Sequence, residues 1–338
     1  MLKIYRFIAA VVLLVLPGLV WADVPSHTVK KSITKIYAVK AGMQVFINNQ
    51  YGDIKLQGWK QKKLVVKIMI TSQSPNLLKA GKLLGLVSIK SGRNAGGVKL
   101  ETIIDTSSRN LRLSTGDQCH ISYQVFVPAG LHLDIKNSFG NTKAESVIGD
   151  LTIAEKFGDI KAVNLTGFLK LNIRQGSLDI DRLSNSVLNI QGFNTVTIGT
   201  ASGDIDATFS SGGRVDLGLS DALHKLSVVA DNVRPLNITN LKMANADLKI
   251  HTSLSKTIYN DHILLKLGKR KPLSTADSLA VAMAKDDTSK KTRDKILRIK
   301  KLSLDALQSK TQDYELKTGT AVNIFTINAS FSVLNVKD

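Results

Sequence analysis

A single cysteine, Cys119, stands among 338 residues, so no internal disulfide can staple this chain. Its context, Cys119-His120-Ile121-Ser122-Tyr123, reads as a strand, where a lone thiol in an oxidising compartment is best kept buried. Neighbours on a strand point to opposite faces, which argues against a Cys119–His120 dyad. Acids are scarce as well: 27 Asp and Glu stand against 46 Lys and Arg, for a formal charge of +19. Aromatics make up only 5%, and the six histidines (His27, His120, His132, His224, His251 and His262) show no metal-ligand spacing. No phosphate-cradling glycine loop and no nucleophile elbow occur. These absences leave no cofactor to expect and exclude the common metal-centre and nucleotide-binding classes.

One pronounced apolar run, Phe7 to Leu16, is too short to span a bilayer and is followed by Pro17. Lys3 and Arg6 precede it and Val20-Trp21-Ala22 follow, so residues 1–22 read as a secretory signal peptide with the mature chain starting near Asp23. No cysteine follows the run to take a lipid. Losing Lys3 and Arg6 leaves +17. The expected location is periplasmic or extracellular, with no transmembrane segment after signal removal and no contact with cytoplasmic nucleic acid.

Glycine is the residue that organises the rest. It recurs every nine positions at Gly140, Gly149, Gly158, Gly167 and Gly176, and again at Gly203. The units between Gly140 and Ser211 place apolar residues two and four positions after each opening residue, as in Leu151/Ile153, Ile160/Ala162, Leu169/Leu171 and Leu178/Ile180. Spacing of two makes each unit a short strand with one face inward, and the glycine or asparagine opening it supplies a corner. Val187 and Asn189 take the same columns, with Asn189 the polar exception. The eighth column alternates Val147, Leu165, Leu183 and Ala201 with Lys156, Arg174, Gly192 and Ser210, so the true period is eighteen. Phe139, Phe157 and Phe193 follow it, with Gln175 breaking the series.

Two strands and two corners per eighteen residues predict a parallel β-helix or β-solenoid, each rung about 4.8 Å above the last. The rhythm loosens but persists in Val215/Leu217, Leu226/Val228, Leu236/Ile238 and Leu248/Ile250. Upstream, strands are expected at Lys35–Val39, Met43–Asn48, Asp53–Gln57, Leu64–Thr71, Val87–Lys90, Val98–Ile104 and Ile121–Val127, with a helix over Asn76–Gly85. The organisation is then a signal peptide over 1–22, a flexible N-terminus over 23–31 and an α+β capping region over 32–135. Solenoid repeats follow over 136–262, then a basic, partly helical or disordered insertion over 263–312 and a C-terminal strand pair over 313–338.

Asn49-Gln50-Tyr51-Gly52-Asp53-Ile54-Lys55-Leu56-Gln57-Gly58-Trp59, Leu64 to Ile68, Val125 to Ile135 and Ser138-Phe139-Gly140 resemble the adhesin-like β-strand-repeat proteins of bacterial envelopes, typical of the Bacteroidetes. The likeness runs from about Lys31 to Ser255. It implies a secreted or periplasmic β-helical protein, related to adhesin head domains, of unassigned activity; it carries no catalytic or binding residues.

The leading functional expectation is a non-enzymatic, adhesin-like surface for binding or scaffolding in the envelope, partnered by envelope polysaccharide, lipopolysaccharide or another surface protein. The alternative is a module for an anionic envelope polymer, held by Lys269, Arg270, Lys271, Lys290, Lys291, Arg293, Lys300 and Lys301 within the basic 266–310 segment. A third reading, polysaccharide lyase or hydrolase, leans on Asp179, Asp181, Asp204 and Asp206, which alternate with inward residues and belong on the solvent side of strands. A calcium ladder fails because Asp150, Asp159 and Asp204 are not repeated at the neighbouring corners, which hold Phe168, Ser177 and Thr195. Tyr51 and Trp59 flank a corner; a sugar-stacking surface is conceivable there, but core packing is the expected use.

Overall fold

The computed structural model of the protein describes residues 26–106, 114–240, 246–253, 312–316, 325–329 and 334–336. They are mainly β with one helix, wound as a parallel β-solenoid of about 6 turns with roughly 19 residues per turn. The chain runs through β1 (His27–Ala38), β2 (Gln44–Gln50), β3 (Ile54–Trp59), β4 (Lys63–Ser74), α1 (Leu77–Gly85), β5 (Val87–Arg93), β6 (Gly97–Ile104) and β7 (Gln118–Pro128). The regular coil follows in β8 (His132–Ser138), β9 (Thr142–Glu145), β10 (Leu151–Lys156), β11 (Ile160–Val163), β12 (Leu169–Arg174), β13 (Leu178–Gln191), β14 (Thr195–Gly212), β15 (Arg214–Val233), β16 (Leu236–Thr239) and β17 (Asp247–Ser253). Last come β18 (Gln312–Leu316), β19 (Phe325–Ala329) and β20 (Leu334–Val336).

Each turn lays one strand on each of two faces. Face A stacks β5, β6, β2, β8, β10, β12, the second halves of β13, β14 and β15, then β17, β19 and β18. Face B stacks β1, β4, β7, β3, β9, β11, the first halves of β13, β14 and β15, then β16 and β20. Pairing is parallel through the coil and antiparallel only toward its ends, in β1–β4–β7, β5–β6 and β18–β19. The α1 helix starts at Asn76, whose side chain accepts from the Lys79 amide, and it buries Ala80 and Leu83.

Alternation of side chains puts one apolar residue of each rung directly over that of the next. Leu100, Ile47, Ile135, Ile153, Leu171, Leu188, Ala207, Val228 and Ile250 form one such column on face A, each at most 1% exposed. Face B answers with Val125, Leu56, Ala144, Ala162, Ile180, Ile198, Leu217 and Ile238. Each fully buried Leu or Ile stabilises by roughly 1.5–3 kcal/mol, so the stack, not the single rung, forms the core.

The corner before β9 shows why glycine recurs. A methyl group on Gly140 would lie 2.1 Å from the Gly52 carbonyl oxygen, one on Gly158 1.8 Å from that of Gly140, and one on Gly176 1.9 Å from that of Gly158. Backbone passes over backbone there with no room for a side chain. The next residue in each rung ties the layers: Asp53 Oδ1 accepts from the Asn141 amide at 2.8 Å, Asn141 Oδ1 from Asp159 at 2.9 Å, and Asp159 Oδ1 from Ser177 at 2.7 Å. Asp150 and Asn185 do the same for Phe168 and Asp204. Asp53, Asp150 and Asp159, which follow glycines, are thus corner braces, whereas Asp204 is itself braced by Asn185.

A constant period of eighteen does not hold throughout. From Leu133 the face A register steps to Leu151, Leu169, Ser186, Ile205, Leu226 and Leu248, so rungs of 18 residues give way to one of 17 and then to 19, 21 and 22. The short rung contains an irregularity between Ser184 and Ser186, with Asn185 at positive φ, and it inverts the alternation beyond it. Val187 therefore points outward at 37% exposure while Leu188 and Ile190 point inward, which corrects the expected columns and explains why Asn189 was polar. Phe193 also leaves its expected series, buried edge-on against Phe209, whereas Gln175 stays in register at the corner. The upstream strands are more than a cap, because β2–β3 and β6–β7 form rungs themselves. The expected insertion over 263–312 lies outside the described residues except for Gln312, which opens β18.

Gly158→Ala should therefore destabilise the protein by about 3 kcal/mol or more, since overpacking against backbone has no flexible neighbour to yield. Gly81→Ala, mid-helix with no atom within 4 Å, should instead gain about 0.5–1 kcal/mol. Urea midpoints compare the two; shifts of equal sign would contradict the corner account.

Candidate binding surface

A shallow trough of about 510 Å3 crosses β1, β4, β7, β3 and β9 on face B. Its outward row runs in register from Thr34 through Lys67, Gln124, Lys55 and Lys143 to Lys161 and Asp179. Lysines thus occupy four of five successive strands. Ser32, Met69, Ser122 and Asn141 line the same trough. Glu145 lies between two of the cations, 3.5 Å from Lys55 Nζ and 2.6 Å from Lys143 Nζ, and its hydrogen bond from Lys143 holds the carboxyl below its ordinary range. Lys161 meets Asp179 at 2.9 Å, and Lys67 lies over the Phe126 ring at 5.4 Å. At the rim, Asp53 braces Asn141 and stands 3.5 Å from His120 Nε2. These lysines were legible in the repeat: Lys55, Lys143 and Lys161 each fall three residues after a stacked corner glycine.

Beside the trough, the corner residues Tyr51, Phe139, Phe157 and Gln175 all adopt φ of 57–59°, unusual for side chains of this bulk. Tyr51 stacks on Phe139 at 5.1 Å and Phe139 on Phe157 at 4.9 Å, with rings within 10° of parallel. Pairs of this kind contribute about 0.5–1.5 kcal/mol each, which offsets the backbone strain. The three rings are 41–48% exposed, which departs from the expected core packing of Tyr51. Within the stack they give faces to one another. Trp59 sits apart from Tyr51, tilted on Phe126 with its Nε1 donating to the Lys63 carbonyl.

Inside the first rungs runs a chain of buried polar groups. Tyr123 Oη meets Thr102 Oγ1, which donates to Asn49 Oδ1; Asn49 donates to Asn137, Asn137 to Thr142, and Thr142 to Glu155. Glu155 is 2% exposed and its Oε1 has no hydrogen-bond partner. Burial pushes its carboxyl from 4.5 up to about 8, so at neutral pH it is largely the uncharged acid. Burial likewise raises the half-buried Cys119 thiol.

The candidate polyanion residues Lys269, Arg270, Lys271, Lys290, Lys291, Arg293, Lys300 and Lys301 lie outside the described residues, as does the expected signal peptide. Asp179 and Asp181 sit on face B and Asp204 and Asp206 in the face A half of β14, all exposed, so the four do not converge. No group of three or more potential metal ligands gathers among the described residues. None of their helices is long and apolar enough to cross a membrane.

No family model matches the chain, and no curated protein matches it in sequence. Among solved structures it is similar to a candidate adhesin from Bacteroides fragilis, at 15% identity and a TM-score of 0.33 over 64% of this chain and 91% of that one. It is also similar to a candidate cell adhesion protein from Clostridium sporogenes, at 11% identity and a TM-score of 0.24 over 91% of this chain and 99% of the other. Similarity this distant carries no argument about a ligand or a site.

Glu155 makes the fold sensitive to pH in a defined direction. Its folded pKa lies above its unfolded one, so its contribution is intact below about 4.5 and is lost as pH rises toward about 8, at roughly 1.4 kcal/mol per unit. Glu155→Gln keeps the volume and removes the titration. Its urea midpoint should fall less than that of the wild type between pH 5 and pH 8, and identical slopes would contradict the assignment.

Proposed function

We propose that this is a non-catalytic binding protein of the cell envelope, whose solenoid faces serve as an adhesion or scaffolding surface. The observation that carries the reading is the trough on face B: broad, shallow and lined by Lys55, Lys67 and Lys143 with hydroxyl and amide groups, beside Asp53 and an apolar floor that includes Met69. Hydrolysis or elimination of a glycan calls for carboxylates or a base converging on one bond, and the four candidate aspartates are divided between two faces. A ladder of stacked rungs suits repeated weak contacts along an extended partner better than closure around a small one. The N-terminal Lys3, Arg6 and apolar run support export to where such partners lie.

Fractionation of cells expressing the whole chain, with N-terminal sequencing, should find it outside the cytoplasmic membrane and starting near Asp23. The purified mature chain should bind envelope fractions saturably and release no new reducing ends or unsaturated sugars from a panel of acidic glycans. Turnover on any of them, or a chain retained in the cytoplasm, would contradict the proposal.

A further inference from the structure

The lysine row of face B has a geometry that selects among anions. Lys67, Lys55, Lys143 and Lys161 rise along one line across five strands, about 4.8 Å per strand, so the row is roughly 19 Å long. A compact anion such as free phosphate is held by donors converging on one point, and these cations are spread along a line. The ligand that matches is itself linear and carries anionic groups at regular intervals.

Stacked like charges one rung apart repel, and the fold retains them with only Glu145 and Asp179 as ion-pair partners in the row. Those pairs are exposed, with the Lys55, Lys143 and Lys161 side chains 43%, 46% and 59% accessible. Exposed pairs contribute at most about 1 kcal/mol, so these ammonium groups exchange partners at little cost. Lys67 has no carboxylate partner among the described residues and rests on Phe126.

The neutral lining narrows the class further. Ser32, Ser122, Gln124 and Asn141 offer hydroxyl and amide groups that pair with sugar hydroxyls. Single-stranded nucleic acid would need open aromatic faces for its bases. The rings near the row, Tyr51, Phe139 and Phe157, are stacked on one another, and Phe126 contacts both Lys67 and Trp59.

We propose that the lysine row of face B is a docking track for an extended acidic polysaccharide, with its anionic groups distributed over successive rungs. This rests on the adhesion reading above and names the partner class and the place.

The test uses the full mature chain and polygalacturonate as probe, with neutral dextran and duplex DNA beside it, titrated by calorimetry from ~50 to ~200 mM salt. The triple variant Lys55→Gln, Lys67→Gln, Lys143→Gln should lose at least tenfold in affinity, and its salt slope should fall by about two to three units. A charge-matched triple placed elsewhere, Lys82→Gln, Lys90→Gln, Lys170→Gln, should lose less than threefold. The arginine triple at the trough positions should retain binding, and an unchanged circular dichroism spectrum certifies the fold of all three. Equal losses in the two glutamine triples, or preference of the wild type for duplex DNA, would overturn the proposal. A wild-type chain that binds envelope fractions but not polygalacturonate would overturn it while leaving the adhesion reading standing.

Discussion

Register between neighbouring rungs is the constraint on which the rest of this molecule depends. A side chain one rung along must fall over its predecessor, because backbone hydrogen bonds lock the strands in parallel and alternation sends every second residue inward. Where that holds, the Ile47–Ile135–Ile153–Leu171 column stacks in the core and the glycine column lets backbones pass at the corner. A slip of one residue would turn the core outward along the whole face. The molecule absorbs its one short rung with a local irregularity next to Asn185 instead of propagating a slip.

The same register sets what the surface can do. Charged and polar residues outside the core inherit the stacking of the residues inside it, so the lysines three positions after Gly52, Gly140 and Gly158 become a line of lysines on face B. The fold supplies order along a line and makes no deep pocket there. It also places polar groups in columns inside, and the Asn49–Asn137–Glu155 series is the interior counterpart of the lysine row. Neighbours in that series satisfy one another until Glu155, where Ile173 follows in the next rung and one oxygen is left unpaired. A single acid at the end of a polar column accounts for the expected pH response.

Much of this was legible in the residues. The nine-residue glycine period predicts corners, and the helix and most upstream strands fall near their expected spans, whereas β1 begins at His27, inside the stretch 23–31 expected to be flexible, because it pairs along its whole length with β4. What escaped has physical causes. Val187 and Asn189 were assigned to inward columns because a fixed period cannot register an irregularity that deletes one residue. Asp150 and Asp159 read in the sequence only as calcium candidates, and Asp53 and Asn141 carry no signal, since the role of all four as braces for the amide one rung on depends on a three-dimensional neighbour 18 or 88 residues away. The exposed ladder of Tyr51, Phe139 and Phe157 was hidden because β3 and β9 are separated in sequence by a whole rung, β6–β7, threaded between the end strands and the coil.

The central claim, parallel rungs stacked at constant spacing, is open to one direct measurement. Asp134, Thr152, Lys170, Val187, Asp206, Ser227 and Lys249 stand in one register column of face A. Spin labels paired between Asp134 and, in turn, Asp206, Ser227 and Lys249, with Cys119 replaced by serine, report separations by double electron–electron resonance. The account predicts about 19, 24 and 29 Å, rising by about 4.8 Å per rung. Distances that do not increase in that order, or that bring Lys249 back toward Asp134, would contradict it.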